Sequence, residues 1–202
     1  VALTRSLEDL ASPYLRGLIP YSPGKPIEEV ERELGISNSV KLASNENPLG
    51  PSPLALQALR EALPGIHRYP DGGGHYLRQA LARHWDVAPD LVILGNGSNE
   101  LLELAGRCFL LPGDEAVYAE QAFIVYDMVA QVTGATKVTV PLTNFTHDLD
   151  GIRAAISPRT KLVFIGNPNN PTGTAVPACA LEAFLESVPS EVLVILDEAY
   201  YE

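Results

Sequence analysis

Residues 161–173 read KLVFIGNPNNPTG: after the lysine, four apolar side chains run unbroken into a loop of three asparagines, two prolines, Thr172 and flanking glycines. A short apolar run of this kind suits a strand buried on both faces, the condition of a parallel sheet. The same pattern recurs outward in both directions, with LVIL at 91–94, AVYA at 116–119, KVTV at 137–140 and VLVIL at 192–196. Helical periodicity fills the intervals, from about residue 98 to 110, from 123 to 133 with Gly134 as a stop, near 149–156 and near 178–187. Strand and helix in alternation predict an α/β chain, a three-layer sandwich around a mainly parallel sheet. Ligands gather beyond the carboxyl ends of strands in such sheets, so the residues after LVIL, KLVFI and VLVIL are where chemistry is expected.

Ahead of this region the character changes. Pro13, Pro20, Pro23 and Pro26 fix φ and remove backbone donors, which predicts an arm with one short helix up to about residue 48. Ser52 before Pro53 reads as a helix start with a capping hydroxyl, the helix running to the stop at Pro64-Gly65, and a second helix follows the glycines at 72–74. With 14 basic against 25 acidic residues and a formal charge of -11, no broad electropositive surface is available for nucleic acid. No apolar run reaches membrane-spanning length, and the opening VALTRSLEDL lacks a signal-peptide layout, so no membrane partner is expected and the cytoplasm is the default compartment. Cys108 and Cys179 stand in apolar, helical surroundings and read as small core residues. The four histidines, His67, His75, His84 and His147, have no metal-ligand spacing and read as solvated, so no metal site is expected.

Three strand ends carry chemical interest. The turn Gly95-Asn96-Gly97-Ser98-Asn99-Glu100 opens into a helix, so a phosphate could be held on amides at Gly97, Ser98 and Asn99, although a plain capped turn has the same composition. The loop at 166–173 holds amide side chains at the sheet rim, where Asn170 could donate to an anionic oxygen; it also reads as an ordinary tight turn. Asp197 follows a strand of aliphatic residues. A carboxylate so placed needs a cation, a metal or a protonated ring nitrogen, unless it caps the following segment. Magnesium in a nucleotide-hydrolase setting is excluded because Lys25, Lys41, Lys137 and Lys161 all lie outside a Gly-Lys-Ser/Thr loop.

Taken in order, LASNENPLGPSP (42–53), RYPDG (68–72), GNGSNELLE (95–103), NPNNPTG (167–173) and LDEAYYE (196–202) resemble the fold type I pyridoxal-phosphate aminotransferases, and among them the histidinol-phosphate aminotransferases. The resemblance implies pyridoxal 5′-phosphate as cofactor, with Asp197 on the pyridine nitrogen, Asn170 and Tyr200 on the phenolic oxygen, and Gly97, Ser98 and Asn99 at the phosphate. It implies Phe123 stacked on the ring, unless that residue is a core aromatic of an amphipathic helix. Tyr69 would reach the neighbouring active site of a homodimer, while Tyr21 and Asn45 would line the substrate side, both also readable as ordinary loop contacts.

The same resemblance divides the chain into residues 1–48, an amino-terminal arm with part of the small domain, and residues 49–202, the first part of the cofactor-binding large domain. The family's cofactor lysine lies beyond Asp-Glu-Ala-Tyr, so no catalytic residue of that kind is expected within these residues, and the sheet is expected to be incomplete at its carboxyl end. The implied reaction is amino transfer between histidinol phosphate and 2-oxoglutarate in histidine biosynthesis, with an amino donor and a 2-oxo acid as partners. An aromatic aminotransferase or a phosphothreonine decarboxylase shares these motifs. A different class of reading is a non-catalytic, truncated module that binds the cofactor weakly or serves only in dimerisation.

Overall fold

The computed structural model describes residues 7–21, 24–42 and 44–201. Pro23 of the amino-terminal arm, residue 43 of the LASNENPLGPSP segment and the final residue of LDEAYYE fall outside the described residues. Two compact units emerge, one of Tyr21–Leu94 and one joining Val1–Pro20 to Gly95–Glu202.

In the first unit α1 (Ile27–Leu34) ends at Gly35, whose left-handed φ of 65° an L side chain would resist. Helix α2 (Pro53–Ala62) starts with proline in its first turn as expected, but the Ser52 hydroxyl makes no capping bond. Helix α3 (His75–Trp85) follows the triple glycine; ahead of it, Asp71 accepts from the amides of Gly73 and His75 at 3.0 and 2.7 Å. These bonds hold the Asp71 carboxyl below the usual carboxylate range, the His75 amide contributing most. The strand expected at 91–94 does not form. Pro89–Leu91 is a 3₁₀ turn and Val92 is extended (φ −99°, ψ 118°), yet no described strand pairs with the segment. Apolar character makes a segment able to extend, but only a hydrogen-bonding neighbour makes it a strand.

The second unit holds α4 (Gly97–Phe109), β1 (Glu115–Ala119), α5 (Ile124–Thr133), β2 (Thr136–Val140), α6 (Leu149–Ala155), β3 (Thr160–Gly166), α7 (Ala178–Ser187) and β4 (Leu193–Asp197). Helix α5 stops where Gly134 takes φ 76°, and α6 starts where the Asp148 carboxylate accepts from the Gly151 amide. All four strands are parallel, in the order β2-β1-β3-β4. The chain steps from β1 outward to β2, then crosses back to β3, so the direction of winding reverses between the two central strands. Crevices for ligands form at the carboxyl ends of strands flanking such a reversal.

Alternation along the strands separates two cores. Ala116, Tyr118, Leu162 and Phe164 face one side with Leu102 of α4 and Tyr126 and Val129 of α5. Val117, Val163 and Ile165 face the other, with Ile152 of α6 and Leu181 and Phe184 of α7. The result is the helix, sheet, helix sandwich expected from the sequence. Helices α4 and α5 approach closely at Gly106, where a Cβ would collide with the Val129 side chain. Cys108 and Cys179 are exposed on α4 and α7, not in the core as their apolar neighbours implied; the apolar faces of both helices are supplied by other residues. No helix among the described residues is long and apolar enough to cross a membrane.

At the amino end of the sheet, Glu115 is buried and accepts from the Ser157 hydroxyl, from Arg159 Nε at 2.9 Å and from the Thr160 hydroxyl at 3.3 Å. The Ser157 bond first, then Arg159, hold the Glu115 carboxyl below its usual range. A carboxyl lowered in the folded state contributes stability above the unfolded glutamate value of about 4.3 and loses it as the pH falls through its lower folded value. Glu115→Gln, which cannot ionise, is therefore expected to melt less steeply with acid than the parent between neutral pH and pH about 3, measured as Tm against pH. Parallel curves for the two proteins would show that this cluster does not report on acid stability.

Candidate active site

The carboxyl ends of β1, β3 and β4 open into one cleft, lined by Ser98, Phe123, Tyr126, Gly166, Pro168, Asn170, Asp197, Ala199 and Tyr200. The strand ends that build it are not quite those expected. LVIL contributes no strand, and the loop after β1 takes its place by delivering Phe123 as the residue that caps α5.

The loop after β3 shows why one asparagine reaches the cleft and its neighbours do not. Asn167 pins the chain sideways, its Oδ1 accepting from the Val176 amide at 2.9 Å. Asn169 is buried, and its Nδ2 donates to the Gln121 carbonyl at 2.9 Å and to the Thr172 hydroxyl at 2.8 Å. With those two side chains committed to the scaffold, Asn170 is left at the rim, where its Nδ2 donates to the Tyr200 hydroxyl at 3.2 Å. The peptide bonds before Pro168 and Pro171 are both cis.

Asp197 is the last residue of β4. Its backbone carbonyl accepts from Asn167 N at 3.0 Å, and in the strand register it stands opposite Gly166. Its carboxylate accepts from the Tyr126 hydroxyl at 2.8 Å and from the Ala199 amide at 3.2 Å. Both donors are neutral, so the negative charge faces the cleft without a countercharge from either of them. Tyr126 was not singled out from the sequence. Its partner is 71 residues away, and no neighbouring residue signals the contact.

Helix α4 starts at the cleft's edge. Its N-cap, Asn96, makes no side-chain bond to the first-turn amides; instead Asn96 N and Nδ2 both donate to Glu100, at 2.5 and 3.0 Å. The amides of the first helical turn are thus not capped by Asn96. Ser98 lines the cleft, Gly97 beside it has φ 74° with open space where a Cβ would stand, and Asn99 instead lines a groove with Glu103, Val125 and Val129.

Of the expected site residues, the structure brings together Ser98, Phe123, Asn170, Asp197 and Tyr200, with Gly97 adjacent in the turn. Tyr69, Tyr21 and Asn45 belong to the other unit: Tyr69 is fully exposed, Tyr21 is exposed, and Asn45 sits in a turn at φ 50°. His147, expected to be solvated, is 6 % exposed, its Nε2 lying 2.9 Å from the Gly166 carbonyl oxygen, and burial holds its imidazole below the usual histidine range. The loop position misled because the ring lies under the end of β3 and not on the surface. Among the described residues no cluster of histidine, cysteine or carboxylate could hold a metal ion.

A parallel α/β sandwich with a carboxylate, an asparagine–tyrosine pair and a helix start at one cleft defines a class, and the family model for aminotransferase class I and II matches residues 37–202. The chain belongs to that family. Its similar relatives include histidinol-phosphate aminotransferase of Moorella thermoacetica, 56% identical over 181 residues, which cover 90% of this chain and 47% of the relative. Histidinol-phosphate aminotransferase 2 of Nitrosospira multiformis is 52% identical over 196 residues, 96% of this chain and 50% of the relative. Among solved structures, histidinol-phosphate aminotransferase from Sinorhizobium meliloti in complex with pyridoxal-5′-phosphate superposes with a TM-score of 0.85 at 32% identity, covering 99% of this chain and 52% of that one. The fold is that of the fold type I aminotransferases. The chain spans about half the length of the curated relatives it matches.

Proposed function

We propose that this chain forms the amino-terminal half of the active site of a pyridoxal-phosphate-dependent aminotransferase that moves an amino group between histidinol phosphate and 2-oxoglutarate. The observation that carries the reading is the Asp197 carboxylate, held by two neutral donors at the floor of a cleft that also presents Asn170 and Tyr200 as a hydrogen-bonded pair. The names of the relatives support the substrate.

The residues present fit the cofactor by their chemistry. Asp197 would hold a protonated pyridine nitrogen, which gives the carboxylate the cation that its neutral donors leave it without. Asn170 and Tyr200 would donate to the phenolic oxygen, Phe123 would cover a ring face, and Gly97, Ser98 and Asn99 would offer first-turn amides to the phosphate, the arrangement a helix start favours for an anion. When bound there, pyridoxal phosphate supplies an electron sink for the carbanion left when the substrate's α-proton departs. Asp197 would serve that chemistry by keeping positive charge on the ring nitrogen. No lysine lines the cleft among the described residues, so the proton-transferring amine and the arginines for the substrate carboxylate are assigned to the half of the relatives' length that this chain does not span.

The active unit is proposed to be a homodimer in which Tyr69 reaches the neighbouring site; its complete exposure supports that role. Tyr21 and Asn45 are proposed to face the substrate. The cytoplasm is the proposed compartment, which suits two exposed, unbridged cysteines.

The test is an absorption spectrum of the natural intact protein with pyridoxal phosphate. A visible cofactor band is expected to bleach with histidinol phosphate and return with 2-oxoglutarate. Bleaching by aromatic amino acids alone would move the assignment to an aromatic aminotransferase, and a spectrum unchanged by any amine would remove the enzyme reading.

A further inference from the structure

Tyr126 is 1 % exposed and wedged among aromatic rings: it stacks on Phe164 with centroids 4.9 Å apart and planes 8° apart, and meets Phe123 and Tyr118 edge to face at 5.9 and 6.4 Å. A phenol held that firmly has one polar atom to satisfy, and it points to Asp197 Oδ2 at 2.8 Å. Gly166 makes room for this bond, since a Cβ there would stand 3.2 Å from the Tyr126 hydroxyl. Burial, and secondarily the facing carboxylate, push the Tyr126 phenol above its ordinary range, so at neutral pH it is a neutral donor.

We propose that Tyr126 is a positioning residue for Asp197: its hydroxyl fixes the rotation of the carboxylate and leaves the charge aimed into the cleft before a cation arrives. This rests on the reading of Asp197 as the partner of the pyridine nitrogen. The need for a positioning group follows from the local fold. Asp197 is the last residue of β4, and its side chain turns about two bonds, so the strand alone does not orient the oxygens. The Ala199 amide at 3.2 Å from Oδ1 is the second support, and the tyrosine, clamped between β3 and α5, is the rigid one. Orientation set in advance is what makes an electrostatic contact effective in a catalytic cleft.

The experiment uses the natural intact protein, freed of cofactor, and 4′-deoxypyridoxine 5′-phosphate labelled with ¹⁵N in the ring. This probe has no aldehyde, so its binding reports the cleft and not a covalent bond. Tyr126→Phe keeps the ring and its stacking, and its melting curve confirms folding. It is expected to weaken the probe about tenfold by calorimetry, the range of one hydrogen bond to a charged group. The bound nitrogen resonance is expected to move toward neutral pyridine. Asp197→Asn should give the larger effect on both readouts, and adding Tyr126→Phe to it should cost nothing further. If Asp197→Asn shifts the resonance and Tyr126→Phe changes neither affinity nor resonance, the positioning role is overturned while the reading of Asp197 stands. If Asp197→Asn leaves the resonance where it is, the reading of Asp197 fails and the proposal falls with it.

Discussion

Asp197→Asn in the natural intact protein is expected to lower kcat/KM for the proposed amino transfer by roughly two to four powers of ten, because removing one partner of a desolvated charge pair costs about 3–5 kcal/mol. The amide is nearly the same size, so the cleft keeps its shape and the loss isolates the charge. The asparagine oxygen can accept from one of the two donors, and with it on the Ala199 amide the Nδ2 faces the Tyr126 hydroxyl oxygen and can donate to it. What disappears is the negative charge opposite the ring nitrogen. Steady-state kinetics with histidinol phosphate and 2-oxoglutarate measure it, and a variant within threefold of the parent would place the ring nitrogen's partner elsewhere.

The largest effect on stability is expected from Phe164→Ala. Phe164 is fully buried on the central strand β3, in the aromatic cluster under the cleft. Truncating a buried phenylalanine costs about 3–5 kcal/mol, through lost transfer energy and the void left behind. Leu54→Ala in α2, at a side chain 77 % exposed, should cost less than about 0.5 kcal/mol. Denaturant unfolding of both variants makes the comparison, and similar midpoints would mean that the aromatic cluster does not govern global unfolding. The two predictions are linked, because Phe164 also carries the flat face on which Tyr126 rests.

The second unit was legible because its signals are local. Continuous apolar runs marked β1, β3 and β4, Gly134 closed α5 where its backbone takes a conformation other residues avoid, and the asparagine–proline loop marked the end of β3. The errors came where the answer depends on a distant partner. LVIL at 91–94 has a strand's composition and no described neighbour to pair with. His147 looks like a polar loop residue until the Gly166 carbonyl is seen beside it. Cys108 and Cys179 sit beside apolar residues in the chain and still face solvent, because a helix turns consecutive residues about 100° apart.

The cleft showed the same division. Asn170 and Asp197 were expected at the cleft because each lies at a strand end that announces itself, Tyr200 entered only with the family resemblance, and the convergence of all three is a consequence of parallel strands ending on one side. Tyr126 was missed because it lies inside a helix with an ordinary apolar pattern. Nothing near it in the sequence distinguishes a tyrosine that fills space from one whose hydroxyl reaches a carboxylate.

Strand β4 is hydrogen-bonded to β3 and to no other described strand. Its last residue stands beside Gly166, and its carboxylate accepts from a tyrosine stacked on Phe164 of β3, so the anion at its tip inherits its steadiness from a neighbour. The position of one charge in this cleft is therefore a collective property of the aromatic layer beneath it, and drift in that layer, caused by a substitution far from the chemistry, would blur the cleft's electrostatics without touching a single residue that meets the ligand.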